Sequence, residues 1–513
     1  MLKVNTNPPT KSEINKALKL LKNGKSAGPD GIPPEALKTD AKTTTDMLHP
    51  LLQKIWTEMK VPADWKKGHL VKLPKKGDLG LCKNWRGIML LSVPSKVLTR
   101  IILERLKDAI DEQLRPEQAG FRKDKSCTDQ IATLRIIIEQ SLEWQSPLYM
   151  NFIDFQKAFD SIDRETIWKL LQHYGIPPIF LNLIKQLYHE ATCQIIHNGK
   201  LTEAFEMKTG VRQGCLLSPM IFLMVVDWVM KETVKAGKTG IQWTLTQCLE
   251  DLDFADDLCL ISQKHQHIQT KTDKLTQTAA KTGLKVNVEK TKIMKLQTNQ
   301  QMPVTLGEHK LEEVESFTYL GSLVTVTGGA DEDVKARIGK ARYVFNVLKP
   351  VWRAKALSVN NKLRIFNSNV KSVLLYGSET WKVTNVISNK LQTFTNRCLR
   401  FILNIHWSDK VSNQDLWQRA KQDPIPQQIG RRKWRWIGHS LRKPPGNITR
   451  HALEWNPQGK RCVGRPKMTW RRSCEEEMKA CNVTWGELKR TAQNRVRWRT
   501  VAEALCSTRN PRE

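Results

Sequence analysis

Ten residues constrain this chain more than any other stretch: Leu252-Asp253-Phe254-Ala255-Asp256-Asp257-Leu258-Cys259-Leu260-Ile261. Apolar residues on both sides of an adjacent acidic pair predict a hairpin over 251–262 with the acids near its tip. Neighbouring carboxylates in an apolar setting repel each other and are costly to desolvate, and a bound cation relieves both problems. A further acid, Asp154, follows Leu148–Ile153, which reads as a strand, and shares a face with Phe152 and Met150 on the two-residue period. Alone, Asp154 is an ordinary turn aspartate. The pair at 256 and 257 is harder to explain that way.

Elsewhere the pattern is mainly helical. Leu98, Ile101, Ile102 and Leu106 have helical spacing. Ser218-Pro219 predicts a helix start, with Ser218 as N-cap and Pro219 in the first turn. Residues 1–46 are polar and basic, with one amphipathic stretch around Ile14, Leu18 and Leu21. Residues 331–405 read as largely helical, and beyond 406 the chain is rich in Trp, Arg and Lys. Four regions are expected: 1–130, 131–325, 326–425 and 426–513.

Charge speaks to partners. Lys and Arg number 83 against 51 acids, a net of +32. That excess calls for a polyanion; nucleic acid is the simplest, and an anionic membrane surface is its rival. No stretch is long and apolar enough for a transmembrane helix, and the N-terminus lacks the apolar core of a signal peptide. Eleven scattered cysteines read as reduced, intracellular thiols, with nucleus and cytoplasm as the expected compartments.

The tail concentrates the charge. From Arg431 to Arg472 there are 13 Arg and Lys against one acid, Glu454, with Trp434, Trp436, Trp455 and Trp470 interleaved. Basic charge supplies sequence-independent affinity for nucleic acid, and indoles either stack on unpaired bases or form the core of a small helical unit. His439, His451, Cys462, Cys474 and Cys481 have no compact metal-ligand spacing, so no structural zinc is expected.

Eight segments, in order, carry a family resemblance. They are Lys25–Gly31, Asn84–Ile88, Gln118–Arg122, Phe152–Asp160, Gly210–Pro219, Phe254–Asp257, Gly283–Thr291 and Phe317–Gly321. This series resembles the reverse transcriptases of non-LTR retrotransposons. The Phe-Ala-Asp-Asp and Arg-Gln-Gly-Cys forms favour that group over retroviral and group II intron enzymes.

The resemblance implies an α+β right-hand polymerase: fingers, a palm with a small antiparallel sheet, a helical thumb, and the basic helical C-terminal region. It assigns Asp154, Asp256 and Asp257 as catalytic and metal-binding, with two Mg²⁺ ions and Mn²⁺ as a substitute. Nucleotidyl transfer uses one ion to activate the 3′-hydroxyl and the other to hold the triphosphate, and Mg²⁺ suits a few carboxylates plus phosphate oxygens. Phe159 would exclude a ribose 2′-hydroxyl. Gln213 and Gly214 would line the nascent base pair, and Arg86, Lys75 or Lys76, and Lys290 would contact the triphosphate. Phe317, Tyr319, Leu320 and Gly321 would form the primer grip. Arg432, Trp434, Arg435, Trp436, Arg465, Lys467 and Trp470 would form a nucleic-acid-binding tail. Partners would be an RNA template, a DNA primer or target, and dNTPs, without a membrane.

An endonuclease is expected from elsewhere, because the motifs begin by Lys25 and the tail lacks the clustered acids and histidines of a nuclease site. Two rival readings are a domesticated, catalytically silent nucleic-acid-binding remnant and an RNA-templated RNA polymerase. Intact acids count against the first, and the ring at 159 against the second.

Overall fold

The computed structural model describes residues 1–507 except Lys76, Ala236 and Cys462, and of Lys83 and Ser507 the backbone only. The chain divides into two units, each assembled from separated segments.

The first unit comprises Met1–Lys123, Ile153–Ala236 and Lys271–Lys290. Its sheet sets Gly68–Pro74 antiparallel to Trp85–Leu91, with Leu73 opposite Arg86, and parallel to Thr192–His197. Helices cover it. The first, Lys11–Lys19, begins at a capping box between Thr10 and Glu13. Its inward Ile14 and Leu18 are buried, as their spacing predicted. The helix Ser218–Val234 is N-capped by Leu217 rather than Ser218; the Ser218 hydroxyl lies just inside the helix and donates to the Arg212 carbonyl at 2.8 Å. Ser218 therefore braces the preceding loop instead of capping. Asp227 of this helix is fully buried but satisfied, accepting from the Tyr174 hydroxyl (2.5 Å) and the Arg115 backbone N–H (2.8 Å).

The second unit comprises Asp124–Phe152, Gly237–Thr270 and Thr291–Glu513. Its sheet runs Glu312–Glu313, Lys292–Leu296, Leu148–Ile153, Asp257–Ser262, Asp251–Phe254. All six positions of the central strand are buried, so both faces of the strand are covered. Asp251–Phe254 and Asp257–Ser262 form the expected hairpin, with Asp257 opposite Phe254. A second hairpin pairs Ser316–Tyr319 with Ser322–Thr325.

Helices of the tail close over this sheet. Trp434, Trp436, Trp455, Trp470 and Trp498 share one core with Met150, Phe152, Leu252, Cys259 and Tyr319. The expected boundary near residue 425 falls at a helix, Ile425–Leu441, that runs across it. Ile425 and Ile429 pack into the core of the preceding helical region, while Trp434, Trp436 and Leu441 pack with the sheet. Trp436 donates to Asp129, 307 residues away in sequence, and Lys443 pairs with the other oxygen of that carboxylate at 2.9 Å. Among the described residues no helix is long and apolar enough to cross a membrane.

Candidate active site

In the first unit Asp154 follows the strand Leu148–Ile153, and its backbone carbonyl accepts from Asn287 at 2.8 Å. Phe155 bridges to Val286, so the segment Gly283–Thr291 is stitched to the chain just after the acid. The Lys290 ammonium reaches the Asp154 carboxylate at 3.3 Å. That places this expected triphosphate lysine beside the expected metal ligand.

Around Asp160 several expected residues converge. Gln213 donates to its carboxylate at 3.1 Å. Burial pushes the Asp160 carboxyl above its ordinary range, against the hydrogen bond from Gln213 and the charges of Lys157 and Lys75, which hold it down. The half-buried Phe159 ring stacks on Phe222, with centroids 4.3 Å apart, and its carbonyl accepts from Val211. Gly214 has φ +131°, and a Cβ there would overlap the Met89 carbonyl, so only glycine lets this turn lie on the strand Trp85–Leu91. Arg86, on that same strand, is exposed. Lys76 lies outside the described residues, as does Cys462 among the candidate zinc ligands.

In the second unit Ala255 and Asp256 form the two-residue loop of the acidic hairpin, and Ala255 takes φ +57°. A positive φ at the first central position suits hairpin turns, but a non-glycine residue is strained there. The strand residues Asp251 and Asp253 are fully buried, whereas Asp256 and Asp257 are exposed. Asp256 and Asp257 are thus two adjacent acids aimed out of an apolar hairpin, a donor set that suits a hard cation sharing its shell with phosphate oxygens. No group of three or more His, Cys, Asp or Glu is arranged to hold a metal among the described residues.

The expected primer grip is fastened to this hairpin. Tyr319 is buried and donates through its hydroxyl to the Leu252 carbonyl at 3.0 Å, and Phe317 stacks on Phe152 at 4.1 Å. Leu320 and Gly321 turn with φ +48° and +80°, as a type I′ loop requires.

The tail needs a correction. Trp434, Trp436 and Trp470 are 0, 8 and 3% exposed, and Trp455 is equally enclosed. Their rings are core, so the base-stacking role expected of them does not hold; an indole surrounded by side chains has no face left for a base. Arg432 is also engaged, donating to the Leu375 carbonyl at 3.0 Å. Arg435, Arg465 and Lys467 are exposed.

Sequence reasoning passed over three groups. Asp160 and Arg212 lay inside quoted motifs, six residues after Asp154 and one before Gln213, but neither was singled out. Arg212 is buried and donates to the carbonyls of Leu187 and Lys66, bracing the loop that carries Gln213. Asp333, which accepts from Arg135, Ser322, Leu323 and Trp381, left no local signal, because its partners are distant in sequence.

A small mixed sheet flanked by helices, with an exposed acidic pair at the tip of one of its hairpins, fits a right-hand nucleic-acid polymerase. Residues 73–324 match the reverse transcriptase (RNA-dependent DNA polymerase) family. Residues 344–376 match a domain of unknown function. The chain is similar to the Transposon TX1 uncharacterized 149 kDa protein of Xenopus laevis, 26% identical over 78% of this chain and 30% of that protein. It is 27% identical to a Pol polyprotein from the retrotransposable element R2 of Popillia japonica, over 81% of this chain and 57% of that one. The R2DM polyprotein of Drosophila melanogaster is 25% identical over 65% of this chain and 32% of its own length. The chain thus spans between about a third and somewhat over half of these relatives. A Candida tropicalis telomerase in complex with a fragment of telomeric RNA aligns at 14% identity over 80% of this chain and 68% of that chain, with a TM-score of 0.40.

Proposed function

We propose that this chain is the RNA-directed DNA polymerase of a non-LTR retrotransposon, extending a DNA primer 3′-hydroxyl on an RNA template with dNTPs. The observation that carries this reading is the family domain over 73–324 holding acids at 154, 256 and 257, with the latter two exposed at a hairpin tip.

In this reading Asp154, Asp256 and Asp257 would hold two Mg²⁺ ions, for which Mn²⁺ would substitute. When bound, the ions supply Lewis-acid stabilisation of the attacking and leaving oxygens. The protein's own residues do the rest. Arg86 offers a planar fork to triphosphate oxygens, and Lys75 and Lys290 offer point charges. Lys290, 3.3 Å from the Asp154 carboxylate, would serve the leaving group. Gln213 and Gly214 support the nascent base pair. Phe159, backed by Phe222, keeps the sugar pocket too shallow for a 2′-hydroxyl. The four residues 317–321 that grip the primer are Phe317, Tyr319, Leu320 and Gly321. Residues 1–130 act as fingers, 131–325 as palm, 326–425 as thumb and 426–513 as the basic region; a nicking activity comes from another domain or protein.

Primer extension on poly(rA) with dNTPs or rNTPs tests this. DNA synthesis is expected, abolished by Asp154→Asn. Phe159→Ala should raise ribonucleotide use relative to dNTP. Preferential rNTP use by the unaltered chain, or near-normal extension by Asp154→Asn, sinks the reading.

A further inference from the structure

The helix Ile425–Leu441 turns one face away from the core. Arg431, Arg435, His439 and Arg442 recur every three or four residues along that face. The helix Arg495–Ser507 packs closely against it. Gly438 makes this approach possible, because a Cβ there would overlap the Trp498 indole. Trp498 donates to the Trp434 carbonyl at 3.1 Å, which locks the pair. Arg495 and Arg499, four residues apart, then line the same cleft of about 550 Å³.

The charges in this cleft are not balanced. Arg431 is neutralised by Asp423 and by Glu503, the one acid in the lining. Among the described residues, no carboxylate forms an ion pair with Arg435, Arg442, Arg495 or Arg499. Arg442 donates only to the Ala492 carbonyl, at 3.0 Å. Burial, and after it the charge of Arg495, loosens the hold of Arg442 on its proton, which marks the two guanidinium groups as neighbours. Four cations held together by helix packing repel one another and raise the affinity of the cleft for an anion.

We propose that this cleft binds the phosphodiester backbone of a nucleic-acid strand between its two arginine rows. The guanidinium fork matches phosphate oxygens, and residues four apart on a helix are spaced by about 6 Å along its axis, so each row can serve successive phosphates. A recessed cleft suits a strand better than the plane of a bilayer. Apart from Glu503, its polar lining is guanidinium and imidazole donors, the groups that contact phosphate oxygens. The proposal leans on the polymerase reading only for the choice of polyanion.

The test is fluorescence anisotropy on the full chain with labelled single-stranded RNA, single-stranded DNA and duplex of about 20 nucleotides, across a salt series. The triple variant Arg435→Ala/Arg495→Ala/Arg499→Ala is compared with a control triple, Lys22→Ala/Lys60→Ala/Lys310→Ala, after melting curves show both are folded. The arginine variant should bind about 10- to 100-fold more weakly, with a log–log salt slope shallower by about 2 to 3, at roughly 0.7 to 0.9 per phosphate lost. Loss on single strands alone, or on duplex as well, supports the site and tells which backbone it takes. An unchanged slope on all three probes overturns it, as does an equal loss in the control triple. Extension by the unaltered chain is read in parallel. If it is absent while arginine-dependent binding persists, the polymerase reading fails and the cleft stands.

Discussion

Two hairpins in the second unit turn on two-residue loops that force a non-glycine residue into the left-handed region: Ala255 at φ +57° in one, Leu320 at φ +48° in the other. Such a residue costs roughly 1–2 kcal/mol, so something must hold it. The acidic hairpin is held by its own strands, which are buried in the sheet. The other is held from outside. The Tyr376 hydroxyl donates to the Leu320 carbonyl at 2.8 Å, Arg337 donates to the Gly321 carbonyl, and Asp333 accepts from the Ser322 hydroxyl and the Leu323 N–H. Arg337 also lies over the Tyr376 ring at 4.4 Å. One loop is therefore rigid because of the sheet and exposes charge. The other is rigid because the helical region grips it, so its position is coupled to that region.

The largest effect should come from removing what both hairpins share. A chain ending at residue 425 loses the tryptophans that pack with Leu252, Cys259 and Tyr319. Each large-to-small loss of this kind costs about 3–5 kcal/mol, and several together exceed the roughly 5–15 kcal/mol that holds a domain folded. The truncated chain should lose the cooperative unfolding transition of the second unit in circular dichroism. A normal melt would show that the tail is an independent domain after all.

Next comes the acidic loop alone. Asp256→Asn should lower extension by about 10³-fold, the rate equivalent of several kcal/mol of charge stabilisation, with RNA binding and melting temperature unchanged. A fall in melting temperature instead would mean that the carboxylate serves the turn.

The gripped loop should respond more mildly and differently. Tyr376→Phe removes one hydrogen bond, worth about 1 kcal/mol. The expected readout is a several-fold rise in KM for primer with kcat kept, together with rescue by the reverse change. An effect on kcat as large as that of Asp256→Asn would erase the distinction between the two hairpins.

The smallest effect is expected in the first unit, away from both. Arg105 holds the Glu13 carboxyl down to about 2 from an ordinary 4.5, chiefly by its hydrogen bond. A lowered folded-state value stabilises above the ordinary one and is lost as pH falls toward the folded one. The gap in melting temperature between wild type and Glu13→Gln should be open at neutral pH and close between about 4.5 and 2. It should correspond to no more than about 1 kcal/mol, since the carboxylate is only half-buried and solvent still screens it. A gap independent of pH would assign the effect to the helix cap.

Local chemistry was legible in the sequence. The acidic hairpin and the strand before Asp154 follow from apolar alternation over a few residues, and the first helix follows from Thr10, Glu13, Ile14 and Leu18, because these signals act within one turn or one strand. The roles of Gln213 and Phe159 were suggested by motif, and the packing of Gln213 on Asp160 adds a neighbour that spacing does not reveal. The tail shows where such reading stops. An indole is equally suited to stacking on a base or to filling a core, and no local pattern chooses between them. Trp436 is decided by Asp129, 307 residues away, and Arg135 by Asp333, 198 residues away. The sequence alone determined which residues carry charge and which short segments alternate as strands or repeat as helices. Only the tertiary structure decided which indoles are core and which arginines, among the described residues, have no carboxylate in an ion pair. Burial and ion pairing depend on partners that meet only once the chain has closed on itself.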